Sequence, residues 1–398
     1  MSLAYRMSLI KESPTLAVSA KATKMKKEGL DVIALSAGEP DFDTPTYIKD
    51  AAIKAINNGK TKYTPAGGTI ELKEAVVNKF LTENNLKYTT NQVLVSAGGK
   101  HSIFNALQAI LSDGDEVVIP APYWVSYPDM TLLCGGIPVC VTCDASDSYK
   151  INPDKLKKAL TNKTKAVFLN SPSNPTGMVY TAEELRALAD VLVNYPNLYI
   201  ITDDIYEHIL FDDTPFVNIA NVAPELFKQI IVINGVSKAY AMTGWRIGFA
   251  GCGDTTVIKA MDIIQSQSTS NPCSIAQEAA LAALVGGLDA LKPMRTAFME
   301  RNIYVTSRLN KINGIKALPA QGAFYSFFDC KLAIENMYNC NKIKEKTDLA
   351  LAGYLLDEFL VAAVPGSAFG LDDHMRISFA TSMDELTKAL DRIEKALK

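Results

Sequence analysis

The chain has 398 residues, 48% hydrophobic and 21% charged, with a formal net charge of −3. Its length exceeds what one small core needs and fits two domains of a globular protein. The mild acidity leaves no basic surplus for nucleic acid or an anionic membrane surface. No apolar run reaches the ~18 residues of a membrane span, and the opening MSLAYRMSLIKESP lacks a signal-peptide pattern, so a cytoplasmic setting is expected. Seven cysteines, an odd number, fit a reduced compartment. Cys140 and Cys143 have C-x-x-C spacing but fall in and just after a predicted strand, with no second pair. They read as packing residues rather than zinc ligands.

Taken in order, an irregular arm leads to a helix over 16–28, ended by Gly29, and a short strand over 31–35. A loop rich in turn formers (SAGEPDFDTP) precedes helical patterns at 46–57 and 70–84. Strands and helices then alternate. A strand at 92–96 runs into an amphipathic helix at 100–111, whose Ile103, Phe104, Leu107, Ile110 and Leu111 share one face. Further strands follow at 116–120, 137–142, 165–170, 198–202, 230–234 and 246–250. Several are near-continuous apolar runs, the pattern of strands covered on both faces. The expectation is an α/β fold in which a mostly parallel seven-stranded sheet is sandwiched by helices, forming a large domain over 46–290. Only a loop separates the last strand from its predecessor, which permits an antiparallel run. A long helical pattern (288–311), short segments at 315–318, 323–328, 361–364 and 375–380, and helices at 348–359 and 383–397 suggest a smaller α+β domain over 291–398. Residues 1–45 form an arm and pack with it.

In open α/β sheets, ligands collect at the carboxyl ends of the strands. The first such end delivers Gly98, Gly99 and Lys100 at a helix start, an anion site through free N–H groups and the helix dipole. The next delivers Trp124, an aromatic able to stack on a planar ring. NSPSNPTG then fixes Asn174, and the strand before DDIYE presents Asp203 and Tyr206, a partner for a protonated ring nitrogen and a donor to a phenolate. GVSKAYAMTGWRIGF finally brings Ser237, Lys238 and Arg246, an amine for a Schiff base and a guanidinium for a phosphate. Each residue alone has an ordinary reading as core, surface or solvated ion pair. Together they match every functional atom of pyridoxal 5'-phosphate.

The set SAGEPDF, KYTPAGG, GGK, PYW, NSPSNPTG, DDIYE and VSKAYAMTGWRIG, in this order over nearly the whole chain, resembles the class I aminotransferases of fold type I. The similarity is greatest to bacterial-type (subgroup Ib) aspartate aminotransferases. The resemblance implies that Lys238 carries the cofactor and shuttles the proton, Asp203 holds the ring N–H, Asn174 and Tyr206 the ring oxygen, and Trp124 the ring face. It places Gly98, Gly99, Lys100, Ser237 and Arg246 around the phosphate. It implies that Tyr63 reaches the phosphate of a neighbouring subunit, hence a homodimer with shared active sites. It also implies that Arg376 clamps the substrate α-carboxylate, with Gly38 closing over it.

The expected reaction is transamination between L-aspartate and 2-oxoglutarate. The resemblance suggests Lys100 and Thr15 for the distal carboxylate of an acidic substrate. Relatives that also use prephenate have a basic residue in the N-terminal arm, where this chain has Lys11. Alternatives are an aminotransferase of broader specificity (prephenate, aromatic), a β-lyase on the same scaffold, or a cofactor-binding transcriptional regulator. The last is disfavoured because no additional basic DNA-binding domain is evident.

Overall fold

Six consecutive buried residues, Ile230–Gly235, leave no polar face to the strand they form, so it must lie at the centre of a sheet covered on both sides. In the computed structural model, which describes residues 3–10, 12–212 and 215–398, this is what it does. The strands in chain order are β1 (Ile33–Ala34), β2 (Val93–Ser96), β3 (Glu116–Ala121), β4 (Ile137–Thr142), β5 (Thr164–Asn170), β6 (Tyr199–Asp203) and β7 (Ile230–Gly235). After them come β8 (Gly248–Cys252), β9 (Lys316–Ala317), β10 (Tyr325–Asp329), β11 (Val361–Ala362), β12 (Val364–Pro365) and β13 (His374–Ser378). Seven of these form one sheet in the order β2-β8-β7-β6-β5-β3-β4. It is parallel throughout except for β8, which runs antiparallel to both β2 and β7.

Successive residues of a strand point to opposite faces. Ile230 and Val232 accordingly join one core, with Leu72, Val76 and Phe80 of the helix Ile70–Asn84, while Ile231 and Ile233 join another, with Ile103 and Leu107 of the helix Gly99–Ile110. The edge strand β4 is less covered, and Cys140 on it is exposed; Cys143, just beyond, is buried, and both are free thiols. A second, antiparallel sheet in the order β12-β13-β10-β9 has its own core, which also takes in Ile33 and Leu35. β1 pairs in parallel with β11, so the N-terminal segment packs with the C-terminal part of the chain. Among the described residues no single helix is long and apolar enough to cross a membrane.

Three expectations need correction. The segment 361–364 is not one strand: Val361–Ala362 pairs with β1 and Val364–Pro365 with β13, because the chain changes sheets at Ala363. The helical pattern 288–311 becomes a short 3-10 turn, Asp289–Leu291, followed by the helix Lys292–Leu309, since Pro293 is tolerated only in a first turn. The strand expected at 246–250 begins two residues later. Arg246 adopts a left-handed conformation (φ 57°) in the preceding loop, where no ladder can form.

Candidate active site

The carboxyl ends of β5, β6 and β7, the start of the helix Gly99–Ile110 and the loop after β3 surround a cavity of about 250 Å³. It lies beside the point where β3 continues to β4 on one side and the chain crosses back to β5 on the other, the switch point at which such sheets open a crevice. The C-terminal sheet and the N-terminal segment close it from above with Arg376, Tyr325, Gly38 and Thr15.

Lys238 stands three residues beyond β7, and its Nζ donates to the Gly38 carbonyl at 2.6 Å. Burial brings its pKa down to about 8; Glu39 and Asp203 oppose that shift and the Arg246 and Arg376 guanidinium groups add to it. A lysine so placed gives up its proton more readily than an exposed one and becomes a neutral amine as the pH rises through about 8. Asp203, the last residue of β6, is buried; it accepts from the Tyr127 hydroxyl at 2.6 Å. Burial pushes the Asp203 carboxyl up, and the Tyr127 and Ile205 donors act against it. Asn170, the last residue of β5, donates to the Asp203 carbonyl at 2.7 Å and accepts from the Asn174 N–H at 2.8 Å, so one side chain fixes the backbone beneath both residues.

Arg376 is 2% exposed and lies between aromatic faces, 4.5 Å from the Tyr325 ring centre and 5.0 Å from that of Phe369. Nη1 donates to Asn174 Oδ1 at 3.1 Å and Nη2 to the Ser36 carbonyl at 2.7 Å; Nε is buried without a hydrogen-bond partner among the described residues. The Tyr206 and Tyr325 hydroxyls are 2.8 Å apart. Trp124 meets Tyr127 edge-on, with ring centres 5.4 Å apart, and the Lys100 ammonium lies 4.9 Å from the Trp124 ring centre.

Gly98 (φ 94°) sits directly against the Arg246 guanidinium, at a distance where a Cβ would collide with Nη2. Gly248 is packed as tightly against the Gly98–Gly99 backbone. These contacts bring Arg246 beside the first-turn N–H groups of the helix, which lack intrahelical acceptors. Arg246 itself is held by the Thr243 carbonyl at 2.8 Å. Ser237 and Gly99 line the same end of the cavity. Thr15 also lines the cavity, with a buried hydroxyl that has no partner among the described residues.

Of the residues singled out from the sequence, Gly38, Gly99, Lys100, Trp124, Asn174, Asp203, Tyr206, Ser237, Lys238, Arg246, Arg376 and Thr15 meet at this one cavity, and Gly98 lies against Arg246. Tyr63 does not join them; it is 90% exposed and away from its own chain's cavity. Lys11 lies outside the described residues. Two contributors were missed, Tyr127 and Tyr325. A buried strand-end carboxylate needs a donor, and YWVSYPD offered one three residues after Trp124. Nothing local marked Tyr325, whose position depends on β10 pairing with β13.

A model of the aminotransferase class I and II family matches residues 30–393. The chain belongs to that family. It is 54% identical to an aspartate/prephenate aminotransferase of Nitrosomonas europaea over 397 residues, covering 100% of both chains. It is 48% identical to an aspartate aminotransferase of Rhizobium meliloti over 393 residues, covering 99% of this chain and 95% of that one. Among solved structures, an aspartate aminotransferase from Rhizobium meliloti superposes with a TM-score of 0.94 at 46% identity, over 100% of this chain and 99% of that one. The Thermus thermophilus enzyme with maleate gives 0.92 at 42% identity, over 100% of each. This aminotransferase therefore has the α/β architecture read from its strand pattern.

Proposed function

We propose that the chain exchanges an amino group between L-aspartate and 2-oxoglutarate, giving oxaloacetate and L-glutamate, with pyridoxal phosphate as cofactor. The reading is carried by the convergence of Lys238, Asp203 and Arg376 on one cavity in a chain of this family. The donor set fits the cofactor: a buried carboxylate for a ring N–H, an amine for the aldehyde, and a helix start with Arg246 for a phosphate. When bound, the cofactor supplies an aldehyde and a ring that takes up the electrons released at the substrate α-carbon.

The rest falls to the protein. Lys238 Nζ would hold the cofactor through its aldehyde, and as a free amine it would take the substrate α-proton and return it. Asp203, held by the Tyr127 hydroxyl and the Ile205 N–H, would face the ring nitrogen and pair with its proton. Tyr206 and the amide Nδ2 of Asn174 would donate to the ring oxygen, and Trp124 would cover one ring face. Arg376 grips the α-carboxylate, and Gly38 lies over it. Lys100 and Thr15 are assigned to the distal carboxylate, which the unpartnered Thr15 hydroxyl favours.

A homodimer is part of this proposal. Tyr63 is free to reach a second copy, and Ile53, Ile56, Ile70 and Val285 are exposed. We also propose residues 46–290 as the cofactor-binding domain and 291–398, joined by parts of 1–45, as the smaller one; the separate cores favour that division. Seven unpaired cysteines suit a cytoplasmic setting. Prephenate as a second acceptor is favoured by the name of the Nitrosomonas relative.

Borohydride reduction of the cofactor-loaded protein, followed by peptide mapping, is expected to place the label on Lys238. Coupled assays should give 2-oxoglutarate-dependent oxaloacetate; pyruvate release instead would indicate a β-lyase. Because the neutral amine attacks the aldehyde, the rate of cofactor uptake should rise with pH and level off above about 8. Stopped-flow absorbance would show this, and a rate independent of pH between 6 and about 9 would contradict it. Arg376→Lys keeps the charge but loses the planar pair of donors. It is expected to lower kcat/KM for aspartate by about 10²-fold or more, with Tm close to wild type.

A further inference from the structure

Lys100 stands in the wall between two cavities. One is the site described above. The other, of about 410 Å³, shares Lys100, Ser126 and Arg246 with it and contains Asp129 of the helix Ser126–Leu133. Among the described residues neither the Lys100 nor the Asp129 side chain makes a hydrogen bond or an ion pair within 4.0 Å. Each nevertheless feels the other. Burial draws the Lys100 ammonium pKa down and the Asp129 carboxyl pKa up, and in both cases the charge of the other residue works against that shift. The Arg246 charge acts on Lys100 in the same direction as burial, while the ammonium rests over the Trp124 ring, 4.9 Å from its centre.

We propose that Asp129 is a specificity-determining residue that draws the Lys100 ammonium into the second cavity when the substrate side chain is uncharged and yields it when that side chain ends in a carboxylate. This rests on the assignment of Lys100 to the distal carboxylate. A lysine left beside an apolar side chain would be a cation without a counter-charge in a narrowing site, which disfavours neutral substrates. An alternative acceptor on the far side removes that penalty. An acidic substrate outcompetes Asp129 because it meets Lys100 and the Thr15 hydroxyl together. Lys100 lines both cavities, and its stem of four flexible carbons lets the ammonium turn toward either.

The test compares kcat/KM for aspartate and phenylalanine, each with 2-oxoglutarate, in wild type, Asp129→Asn, Lys100→Met and the double variant. Asp129→Asn is expected to raise the aspartate-to-phenylalanine ratio about fivefold, the scale of one half-exposed ion pair. Asp129→Glu should restore the wild-type ratio. In the Lys100→Met background, Asp129→Asn should leave the ratio unchanged, because its effect passes through the lysine. A ratio within about twofold of wild type in Asp129→Asn, or the same change with Lys100 absent, overturns the proposal. A wild type inert toward phenylalanine does so too. If Lys100→Met leaves aspartate turnover unaltered, the assignment of Lys100 falls and this inference with it. If Lys100→Met impairs aspartate turnover while Asp129→Asn changes nothing, only the present inference falls.

Discussion

Lys238→Ala is expected to lower kcat for the aspartate–2-oxoglutarate exchange by about 10⁴-fold or more, while the cofactor still binds and Tm stays near wild type. Two functions vanish together. On the proposed assignment Lys238 supplies both the covalent attachment and the proton carrier at the substrate α-carbon, and proton transfer alone contributes about 10²–10⁴-fold. The other groups assigned to the cofactor, Asp203, Arg246 and the start of the helix Gly99–Ile110, are untouched, so cofactor binding should be retained. Lys238→Arg should not recover activity, because a guanidinium stays protonated and is a poor nucleophile. Steady-state rates and borohydride labelling check this. A variant keeping more than about a tenth of wild-type kcat would remove Lys238 from its role.

The largest effect on stability should come from Lys79→Met. Lys79, on the helix Ile70–Asn84, is buried against Glu207, which follows β6 by four residues; its Nζ also donates to Asn84 Oδ1 at 2.6 Å. Asn84 Nδ2 reaches the second Glu207 oxygen at 2.6 Å, and His208 bonds Glu83 at 2.8 Å. Burial alone would push the Glu207 carboxyl up, but Lys79 and His208 prevail and it ends below the usual range. Without Lys79 the buried Glu207 carboxylate loses its ammonium partner and keeps only Asn84 and the more distant His208 ring, and breaking such a pair costs about 3–5 kcal/mol. Replacing both partners, Lys79→Met with Glu207→Leu, should recover much of that, since no charge is then stranded. Denaturant unfolding measures both. A single variant within about 1 kcal/mol of wild type would mean the pair contributes little.

Glu207 shows what the sequence could and could not disclose. As part of DDIYE it marked the end of a strand, but Lys79 looked like any solvated lysine on an amphipathic helix. Only the packing of that helix on the sheet joins two residues so distant in the chain. The strands of the large sheet were legible because their apolar runs exceed what a half-exposed strand needs. The site was legible because parallel strands deliver their following residues to one edge. Lys238, Asp203 and Asn174 therefore had to converge once the strands were found. Tyr127 and Tyr325 were hidden for the opposite reason. A fully buried tyrosine reads as core, and where its hydroxyl points is settled by tertiary contacts alone. Arg246 was placed correctly but in the wrong conformation, since nothing in GWRIG announces a left-handed residue other than glycine. The break at Ala363 was invisible because both halves of VAAV are apolar.

The segment from Ser36 to Thr44 has almost no regular structure, yet it is tied on every side. The Ser36 carbonyl takes a bond from Arg376 and that of Gly38 one from Lys238. Glu39 accepts from Thr243, Asp41 from Arg301, and Thr44 meets both the Ala241 carbonyl and Trp245. Irregular connections are ordinarily where a chain accepts exchange and insertion most readily. Here that licence is withdrawn: nine residues of coil answer to anchors from both halves of the molecule, and they should tolerate fewer replacements than the helices around them.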